Sequence, residues 1–265
     1  MNGIAMTAAE KTALKKKIKS EAKKFGMNLA GFAAASRWEE YANTAPEFYP
    51  RSIWPWSKTV VVLGAQIFLP MIETTPSIVY SELYNTTNRL LDESSYRIAN
   101  FLNTLGHRAL FFPRDGYGDI SVLVEKPEAA FSQVLAGYYA GLGTVGFNHT
   151  LLTPEYGPRV RFASVITDAD ITPDRVTKRD LCKNCGVCRK QCPVGAFTPR
   201  EDKIIADMDK HRCASYHQKL KNELHYPCGV CAMVCPVGQD RKIYGARSVS
   251  EGGMIHCRSF GSKNS

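Results

Sequence analysis

The cysteines constrain this chain more than any other feature, because seven of the nine fall in two short runs within its last third. The first run extends from Cys182 to Cys192 and reads Cys-Lys-Asn-Cys-Gly-Val-Cys-Arg-Lys-Gln-Cys-Pro. Spacings of two residues let consecutive thiolates bind separate corners of one iron–sulfur cubane, while the last cysteine points to a neighbouring cluster. The sequence therefore predicts a protein that transfers electrons.

The second run nearly repeats the first, but it holds only three cysteines, between Cys228 and Cys235. Cys213 lies upstream and supplies the fourth thiolate. The pattern C-x2-C-x2-C-x3-C-P is that of bacterial ferredoxins with two [4Fe–4S] clusters, in which the runs exchange one ligand. The predicted ligand sets are Cys182, Cys185, Cys188 and Cys235 for one cluster, and Cys192, Cys213, Cys228 and Cys231 for the other.

Two other uses of the cysteines fit the spacing less well. A structural zinc site usually contains two CxxC pairs rather than a triplet that ends in Cys-Pro. A disulfide framework is typical of small secreted domains, whereas this chain has 265 residues. Cys257 is left over in a polar, glycine-rich tail, where we expect a free thiol.

The region before the cysteines is long enough to bury a core of its own. Short apolar segments predict strands at residues 29–35, 58–64, 108–113 and 159–167. Helical periodicity predicts helices at residues 80–105 and 128–140. This alternation predicts an α/β domain. A charged, proline-containing boundary at 169–180 gives an α/β domain at 1–170 and a ferredoxin-like domain at 171–265.

The chain has a formal net charge of +9, and its clearest local source is a lysine-rich N-terminal stretch. Thr7 and Glu10 form a capping box, and apolar residues from Leu14 to Phe25 repeat at helical spacing. The lysines therefore indicate the solvated face of a helix. The alternative is a surface for an acidic electron donor or a polyanion.

No apolar run approaches the ~20 residues that span a bilayer. The first residues lack a charged segment followed by an apolar core, so no secretory signal is predicted. Thiolate-bound clusters also fit a reducing compartment. We therefore expect a cytoplasmic protein that does not span a membrane.

A glycine motif, Gly-Leu-Gly-Thr-Val-Gly at residues 141–146, matches GxGxxG. Its context does not suit a dinucleotide site, which requires a strand before the glycines and a helix that begins at them. Here a helix-like segment precedes the motif, and a proline-containing loop follows it. We expect these glycines to let the backbone approach a flat cofactor closely.

The loop at residues 148–158 concentrates polar groups between glycine and prolines, and binding residues accumulate on such loops. Arg159 and Arg161 are two residues apart on a predicted strand, so we expect their side chains on one side, binding a carboxamide, a phosphate or a developing anion. Ordinary surface arginines are the alternative. His149 is a candidate proton donor or axial ligand, or else a hydrogen-bonded loop histidine.

Together these motifs resemble a known family. Gly-Leu-Gly, then Leu-Leu-Thr-Pro-Glu-Tyr-Gly-Pro-Arg-Val-Arg, then a strand ending in Thr-Asp, then eight cysteines, is similar to the reductive dehalogenases and, more distantly, to epoxyqueuosine reductase. The resemblance implies a nitroreductase-like α/β domain that holds cobalamin beside a ferredoxin-like domain with two [4Fe–4S] clusters. It implies that the corrin is bordered by Gly141, Leu142, Gly143, Gly146, Asn148, Thr153, Arg159 and Arg161.

The chain departs from these relatives at the proton donor. Epoxyqueuosine reductases carry an Asp-Thr-Ala-Pro segment before the Gly-Leu-Gly, whereas this chain has Pro127 and Glu128 there. Dehalogenases use a tyrosine supported by a basic residue, and tyrosines are available on the helix predicted at 80–105. The candidate catalytic residues are Arg159 or Arg161 for the stabilisation of negative charge near the substrate and, as the proton source, one of Tyr84, His149 and Glu128.

The predicted function is that of an iron–sulfur enzyme. A donor such as ferredoxin or flavodoxin reduces one cluster, the other cluster passes the electron on, and bound cobalamin performs reductive chemistry on a small molecule. One alternative is an electron-transfer protein without its own substrate, which reduces a corrinoid or a partner enzyme. Another is an FMN-dependent reductase, since nitroreductase-like folds commonly bind flavin. A tRNA partner is not expected, because only the net charge favours it.

Overall fold

The computed structural model describes residues 6–244. Its α-helices are α1 (Ala8–Lys24), α2 (Arg37–Tyr41), α3 (Pro50–Ile53), α4 (Leu69–Ile72), α5 (Ile78–Thr104), α6 (Ile120–Glu125), α7 (Gln133–Tyr139), α8 (Val187–Lys190), α9 (Lys210–Asn222), α10 (Val230–Met233) and α11 (Asp240–Ile243). Its strands are β1 (Leu29–Ala34), β2 (Thr59–Gln66), β3 (Ala109–Phe112), β4 (Thr144–Val145), β5 (Leu151–Leu152), β6 (Val160–Thr167), β7 (Phe197–Thr198) and β8 (Asp207–Met208). A short 3-10 helix covers Pro46–Phe48.

The central sheet contains four strands in the order β1-β2-β6-β3, and each neighbouring pair is antiparallel. Val61 of β2 lies opposite Phe32 of β1 and Val165 of β6. All four strands begin and end within two residues of the predicted segments. The mixed α/β class is therefore confirmed. The alternation of helices and strands in the sequence did not predict that the strands pair in antiparallel fashion.

Strand β2 is buried on both faces because helices cover each of them. Val61 and Leu63 face a cluster that contains residues of α1 and α5. Val60 and Val62 alternate with them and face a second cluster, which contains Trp38 and residues of α7. Full burial of one such aliphatic side chain contributes about 1.5–3 kcal/mol. This three-layer core fixes the position of the sheet on which the site is built.

Helix α1 begins as its sequence predicts. The Glu10 backbone N–H donates to Thr7 Oγ1, and the Thr7 backbone N–H donates to the Glu10 carboxylate, so the capping box is confirmed. Leu14, Ile18 and Ala22 are buried against the core. The apolar face predicted for this helix is therefore the face that packs against the core.

Helix α5 spans 27 residues and begins two residues before the predicted segment. Its N-terminus is set by Ser77, whose hydroxyl accepts a hydrogen bond from the Tyr80 backbone N–H. Gly106 follows its C-terminus with φ of 84°, as expected for a glycine that ends a helix. Neither α5 nor any other helix within residues 6–244 is long and apolar enough to cross a membrane.

The start predicted for the helix at residues 128–140 is wrong. Helix α7 begins at Gln133, because the Ser132 hydroxyl accepts a hydrogen bond from the Leu135 backbone N–H and caps the first turn. The preceding residues form a loop in which the Ala130 N–H donates to the Gly116 carbonyl. A serine inside a periodic segment can therefore mark a helix start rather than a helical position.

The glycine motif at residues 141–146 follows α7 and leads into β4, so it lacks the strand–glycine–helix order of a dinucleotide site. Gly141 has φ of 73° and lies against the Arg175 carbonyl. A Cβ at Gly143 would overlap the carbonyl oxygen of Leu152, across the β4–β5 hairpin. These glycines let the chain pack closely against itself.

The two cysteine runs share one local structure. Each contains Cys-Gly-Val-Cys, and in each the glycine has a positive φ, 70° at Gly186 and 68° at Gly229. Glycine reaches this conformation at little cost. A short helix follows in both runs, and the two helices, α8 and α10, pack together. The internal repeat of the sequence is therefore a repeat in the structure. Cys257 lies outside the described residues.

The predicted boundary at residues 169–180 lies in a segment without helix or strand. This segment is nevertheless tied to the sheet, since the Asp174 N–H donates to the Phe32 carbonyl and the Phe32 N–H donates to the Asp174 carboxylate. The division into domains at 1–170 and 171–265 stays a prediction.

Candidate functional site

The eight cysteines predicted as ligands lie around two separate voids. A small void near the surface, where Cys185 is exposed, is lined by Cys182, Cys185, Cys188 and Cys235. A larger cavity of about 400 Å³, here called the inner cavity, is lined in part by Cys192, Cys213, Cys228 and Cys231. These groupings coincide with the two ligand sets predicted from the spacing, including the exchange of one cysteine between the runs.

The buried thiols of the inner cavity fit a bound metal cluster. Burial raises the pKa of Cys213 to about 11 and that of Cys228 to about 12. Such thiols ionise when a metal supplies compensating positive charge. Within residues 6–244, no three Cys, His, Asp or Glu side chains converge closely enough to hold a single metal ion. A cubane does not require such convergence, because its four thiolates bind four different irons.

Another part of the inner cavity wall is polar and centres on Arg161. Its Nε donates to Asn88 Oδ1 and its Nη2 donates to Asp115 Oδ1, each over 2.6 Å. The guanidinium carbon lies 4.1 Å from the centre of the Tyr84 ring. Burial opposes the positive charge of Arg161, but Tyr84 and Asp115 outweigh it and raise the pKa of the guanidinium. Arg161 therefore stays charged beside the cavity.

Three tyrosine hydroxyls meet beside Arg161. Tyr84 Oη lies 3.3 Å from Tyr226 Oη, which in turn lies 3.1 Å from Tyr117 Oη. The Tyr84 hydroxyl also donates towards Asp115, at 3.4 Å from each carboxylate oxygen. Burial raises the pKa of Tyr117 and of Tyr226, so both hydroxyls keep their protons. A connected set of hydroxyls of this kind can deliver and replace a proton.

A second cavity of about 850 Å³, here called the outer cavity, adjoins the inner one. The linings of the two cavities share Pro127, His149 and Lys210. His149 Nε2 lies 2.6 Å from the Ala206 carbonyl, which only accepts, so this nitrogen carries the proton and donates it there. Glu128 lines the outer cavity only, and its exposed carboxylate pairs with Lys126 at 3.0 Å.

Arg159 reaches neither cavity, so its predicted role in stabilising charge on a substrate is wrong. It precedes strand β6 and does not share the orientation of Arg161. Its buried guanidinium donates from Nε and Nη2 to the two carboxylate oxygens of Asp240, each over 2.6 Å. The same group donates to the carbonyls of Ala232, Cys235 and Val237. Arg159 therefore fixes the segment that carries Cys235.

Most of the eight residues that the family resemblance places around the corrin pack instead against other parts of the protein. Of that set, Asn148 and Arg161 line the inner cavity, and Asn148 Nδ2 donates to the Cys231 carbonyl beside the cysteines. Thr153 instead closes a turn, with its hydroxyl donating to the Gly157 carbonyl. The residues of the set that line neither cavity are Gly141, Leu142, Gly143, Gly146, Thr153 and Arg159.

Several polar residues of the site were not predicted from the sequence. Tyr226 precedes Cys228 by two residues, so a position near the cysteines could have been inferred for it. Asp115 carries no such signal, because 46 residues separate it from Arg161. His217 also lines the inner cavity, where burial and Arg161 lower its pKa to about 4, so the ring is neutral at pH 7.

Comparison with protein families agrees with the cysteine pattern. The family described as the 4Fe-4S binding domain matches residues 176–198, which include the first cysteine run. An iron–sulfur binding motif is therefore present in this chain.

Curated proteins of two kinds are similar to the chain. A tetrachloroethene reductive dehalogenase of Dehalobacter restrictus is 28% identical over 198 residues, which cover 68% of this chain and 31% of the dehalogenase. An epoxyqueuosine reductase of Leadbetterella byssophila is 26% identical over 212 residues, which cover 76% of this chain and 68% of the reductase. The chain is related to both. It spans less than a third of the length of the dehalogenases.

Solved structures show the same relationship in the fold. An epoxyqueuosine reductase of Bacillus subtilis is similar with a TM-score of 0.60 and 20% identity, covering 86% of this chain and 66% of that one. A catabolic reductive dehalogenase is similar with a TM-score of 0.64 and 21% identity, covering 85% of this chain and 32% of that one. The α/β fold with its iron–sulfur motif is thus like that of epoxyqueuosine reductase.

A third solved structure corrects our expectation about a tRNA partner. An epoxyqueuosine reductase with a TM-score of 0.60 to this chain was solved with an epoxyqueuosine-modified tRNA stem loop. The relatives therefore include proteins that act on tRNA, which counts against our expectation that a tRNA partner is unlikely.

Replacing Asp240 with Ala is expected to lower the free energy of unfolding by about 3–5 kcal/mol, because it leaves the Arg159 guanidinium buried without its counter-charge. Denaturant titration of the anaerobically purified protein measures this change. Glu93→Ala is the matched control, since it removes an exposed ion pair with Arg97 that is worth about 0.3–0.5 kcal/mol. Equal stability of the two variants would contradict the structural role of Arg159.

Proposed function

We propose that the protein is an iron–sulfur reductase that passes electrons through two [4Fe–4S] clusters to cobalamin bound in the inner and outer cavities. The relatives named as reductases support an enzyme. One similar structure is a reductive dehalogenase described with a mechanism for B12-dependent dehalogenation. The observation that carries the proposal is that one cavity is lined both by four predicted cluster ligands and by Arg161 and Tyr84.

The two cysteine sets suit a path for electrons from the surface to the inner cavity. Cys185 of the first set is exposed, whereas the second set lines the inner cavity. Cys188 of the first set and Cys231 of the second pack against the same apolar cluster around Phe147 and Phe197. The two sets are therefore close neighbours, as successive electron carriers must be.

The cavities have the size and chemistry that a large flat cofactor requires. Ligand pockets commonly measure about 300–1,000 Å³, and the cavities of about 400 and 850 Å³ meet at His149. Asn148 and Arg161 would hold the cofactor from the inner side, and Thr144 and Val145 from the outer side. When bound, cobalamin would supply the strongly reducing metal centre that side chains lack. We also propose that the α/β domain is related to the nitroreductase fold.

The residues around the inner cavity would bind and orient a small substrate. The hydrogen bonds to Asn88 and Asp115 use Nε and Nη2 of Arg161, and they leave Nη1 to bind an anionic group of the substrate or a developing negative charge. Tyr84 would donate the proton that reduction consumes, and Tyr226 lies within hydrogen-bonding distance to replace it. Glu128 is a weaker proton source because it lines only the outer cavity and pairs with Lys126. His149 is weaker because its Nε2 proton is held by the Ala206 carbonyl.

Titration of the iron-reconstituted protein with hydroxocobalamin, under strictly anaerobic conditions, tests the cofactor. We expect about eight irons per chain and uptake of one corrin per chain, measured by absorbance after removal of the unbound corrin. Clusters without corrin uptake would contradict the cobalamin enzyme. They would favour an electron-transfer protein, for which the exposed Cys185 is the supporting observation, or an FMN-dependent reductase, for which FMN is the next titrant.

Replacing Tyr84 with Phe is expected to lower turnover about 10²–10⁴-fold, the usual contribution of one general acid, without changing iron or corrin content. The first substrate to test is 3-bromo-4-hydroxybenzoic acid, which a similar dehalogenase structure contains, because its anionic groups suit Arg161. Release of bromide measures the rate. An epoxyqueuosine-modified tRNA stem loop, present in another similar structure, is the second substrate.

Tyr96→Phe is the matched control for this variant, because Tyr96 lies on the same helix but is exposed. We expect the control to retain wild-type turnover. If the Tyr84 variant reduced the wild-type substrate at the full rate, another group would have to donate the proton.

A further inference from the structure

A dense group of positive charge surrounds the exposed cysteine set. Residues 175–190 contain one acidic residue, Asp180, against six basic residues. The basic residues, all exposed, are Arg175, Lys178, Arg179, Lys183, Arg189 and Lys190. Among the described residues, none of the six takes part in an ion pair. Their charge is therefore available to a partner.

Helix α1 is also basic, but part of its charge is neutralised within the fold. Lys11 pairs with Asp170, and Lys15 pairs with Asp174 at 2.6 Å. Lys15 also lies 5.1 Å from the centre of the Phe32 ring. No predicted cluster ligand lies on this helix. The lysine run that is most conspicuous in the sequence is thus not the basic surface next to the redox site.

The basic segment and the exposed cysteines occupy the same stretch of chain. Cys185 is exposed near its end, between Lys183 and Arg189, and Cys188 is half-buried. A cluster held there would present an edge at the surface, whereas the other set faces the inner cavity. Complementary charge raises the rate at which two proteins meet in the correct orientation. Positive charge at an exposed redox centre therefore suits a negatively charged partner.

We propose that residues 175–190 form the docking surface for an acidic protein that carries single electrons. The proposal rests on the proposed function, because a reductase requires an external reductant. In each encounter the redox centre of the carrier loses one electron and the exposed cluster gains it, and no atom is transferred. Two encounters supply the two electrons that reduction of a small molecule consumes.

The test uses the full chain with reconstituted clusters and an acidic flavodoxin reduced to its hydroquinone. Formation of the flavodoxin semiquinone, followed by anaerobic stopped-flow absorbance, reports each one-electron transfer. One variant reverses charge at the proposed surface and carries Lys183→Glu, Arg189→Glu and Lys190→Glu. The matched control makes the same change in charge on the exposed face of α1 and carries Lys16→Glu, Lys17→Glu and Lys23→Glu.

At low ionic strength we expect the second-order rate constant to fall about 10–100-fold in the surface variant, as lost electrostatic steering predicts, and less than about twofold in the control. The wild-type rate constant should fall steeply with added salt, because screening weakens steering. An unchanged rate in the surface variant, equal losses in both variants, a rate independent of salt, or no reduction by flavodoxin would each overturn the proposal.

Two measurements on the same samples separate this proposal from the proposed function. Iron content and full reduction by dithionite establish that each variant holds its clusters. If the surface variant loses iron, a second variant that carries Lys178→Glu and Arg179→Glu replaces it. Neither of these residues adjoins a cysteine, and we expect a loss of rate in this variant as well. Failure to take up cobalamin contradicts the proposed function alone, whereas a rate unaffected by these charges contradicts the docking surface alone.

Discussion

The Arg159 guanidinium donates to both carboxylate oxygens of Asp240 and to three backbone carbonyls between residues 232 and 237, and both side chains are fully buried. A buried charge pair of this kind is costly to break, because either partner alone would be left without a counter-charge. The contact ties the segment with Cys235 to the residue just before β6. The contact reaches both cysteine sets, since Cys235 belongs to the first set and Cys231 of the second lies in helix α10, whose Ala232 carbonyl also accepts from Arg159.

The remaining parts of the site follow from elements that the core already holds in place. Strand β6 is central in the sheet and carries Arg161 into the inner cavity. Helix α5 packs against the same strand and presents Tyr84. The second cysteine run then closes the cavity with Cys228 and Cys231. A three-layer scaffold thus brings four predicted cluster ligands and a wall with Arg161 and tyrosine hydroxyls to one cavity, and a basic segment surrounds the exposed cysteine set.

Features that depend on neighbouring residues were predictable from the sequence. The cysteine spacing predicts the two groups, because cysteines separated by two residues bind one cluster and the cysteine that follows after three residues binds the other. The capping box at Thr7 is equally local. Contacts between distant segments were not predictable. Arg159 and Arg161 look equivalent in sequence, yet one pairs with Asp240 and the other with Asp115. The glycines at 141–146 permit close approach, but the sequence does not say that the approaching group is the chain itself.

Low-temperature EPR spectroscopy of the fully reduced, iron-reconstituted protein tests the arrangement of the two cysteine sets most directly. Two neighbouring [4Fe–4S] clusters predict about two spins per chain, with signals broadened by the magnetic interaction between the clusters. Replacing Cys213 with Ser should leave one narrower signal from the exposed set, because that change removes one ligand of the inner set only. A wild-type spectrum with one spin or fewer and no interaction would contradict the account.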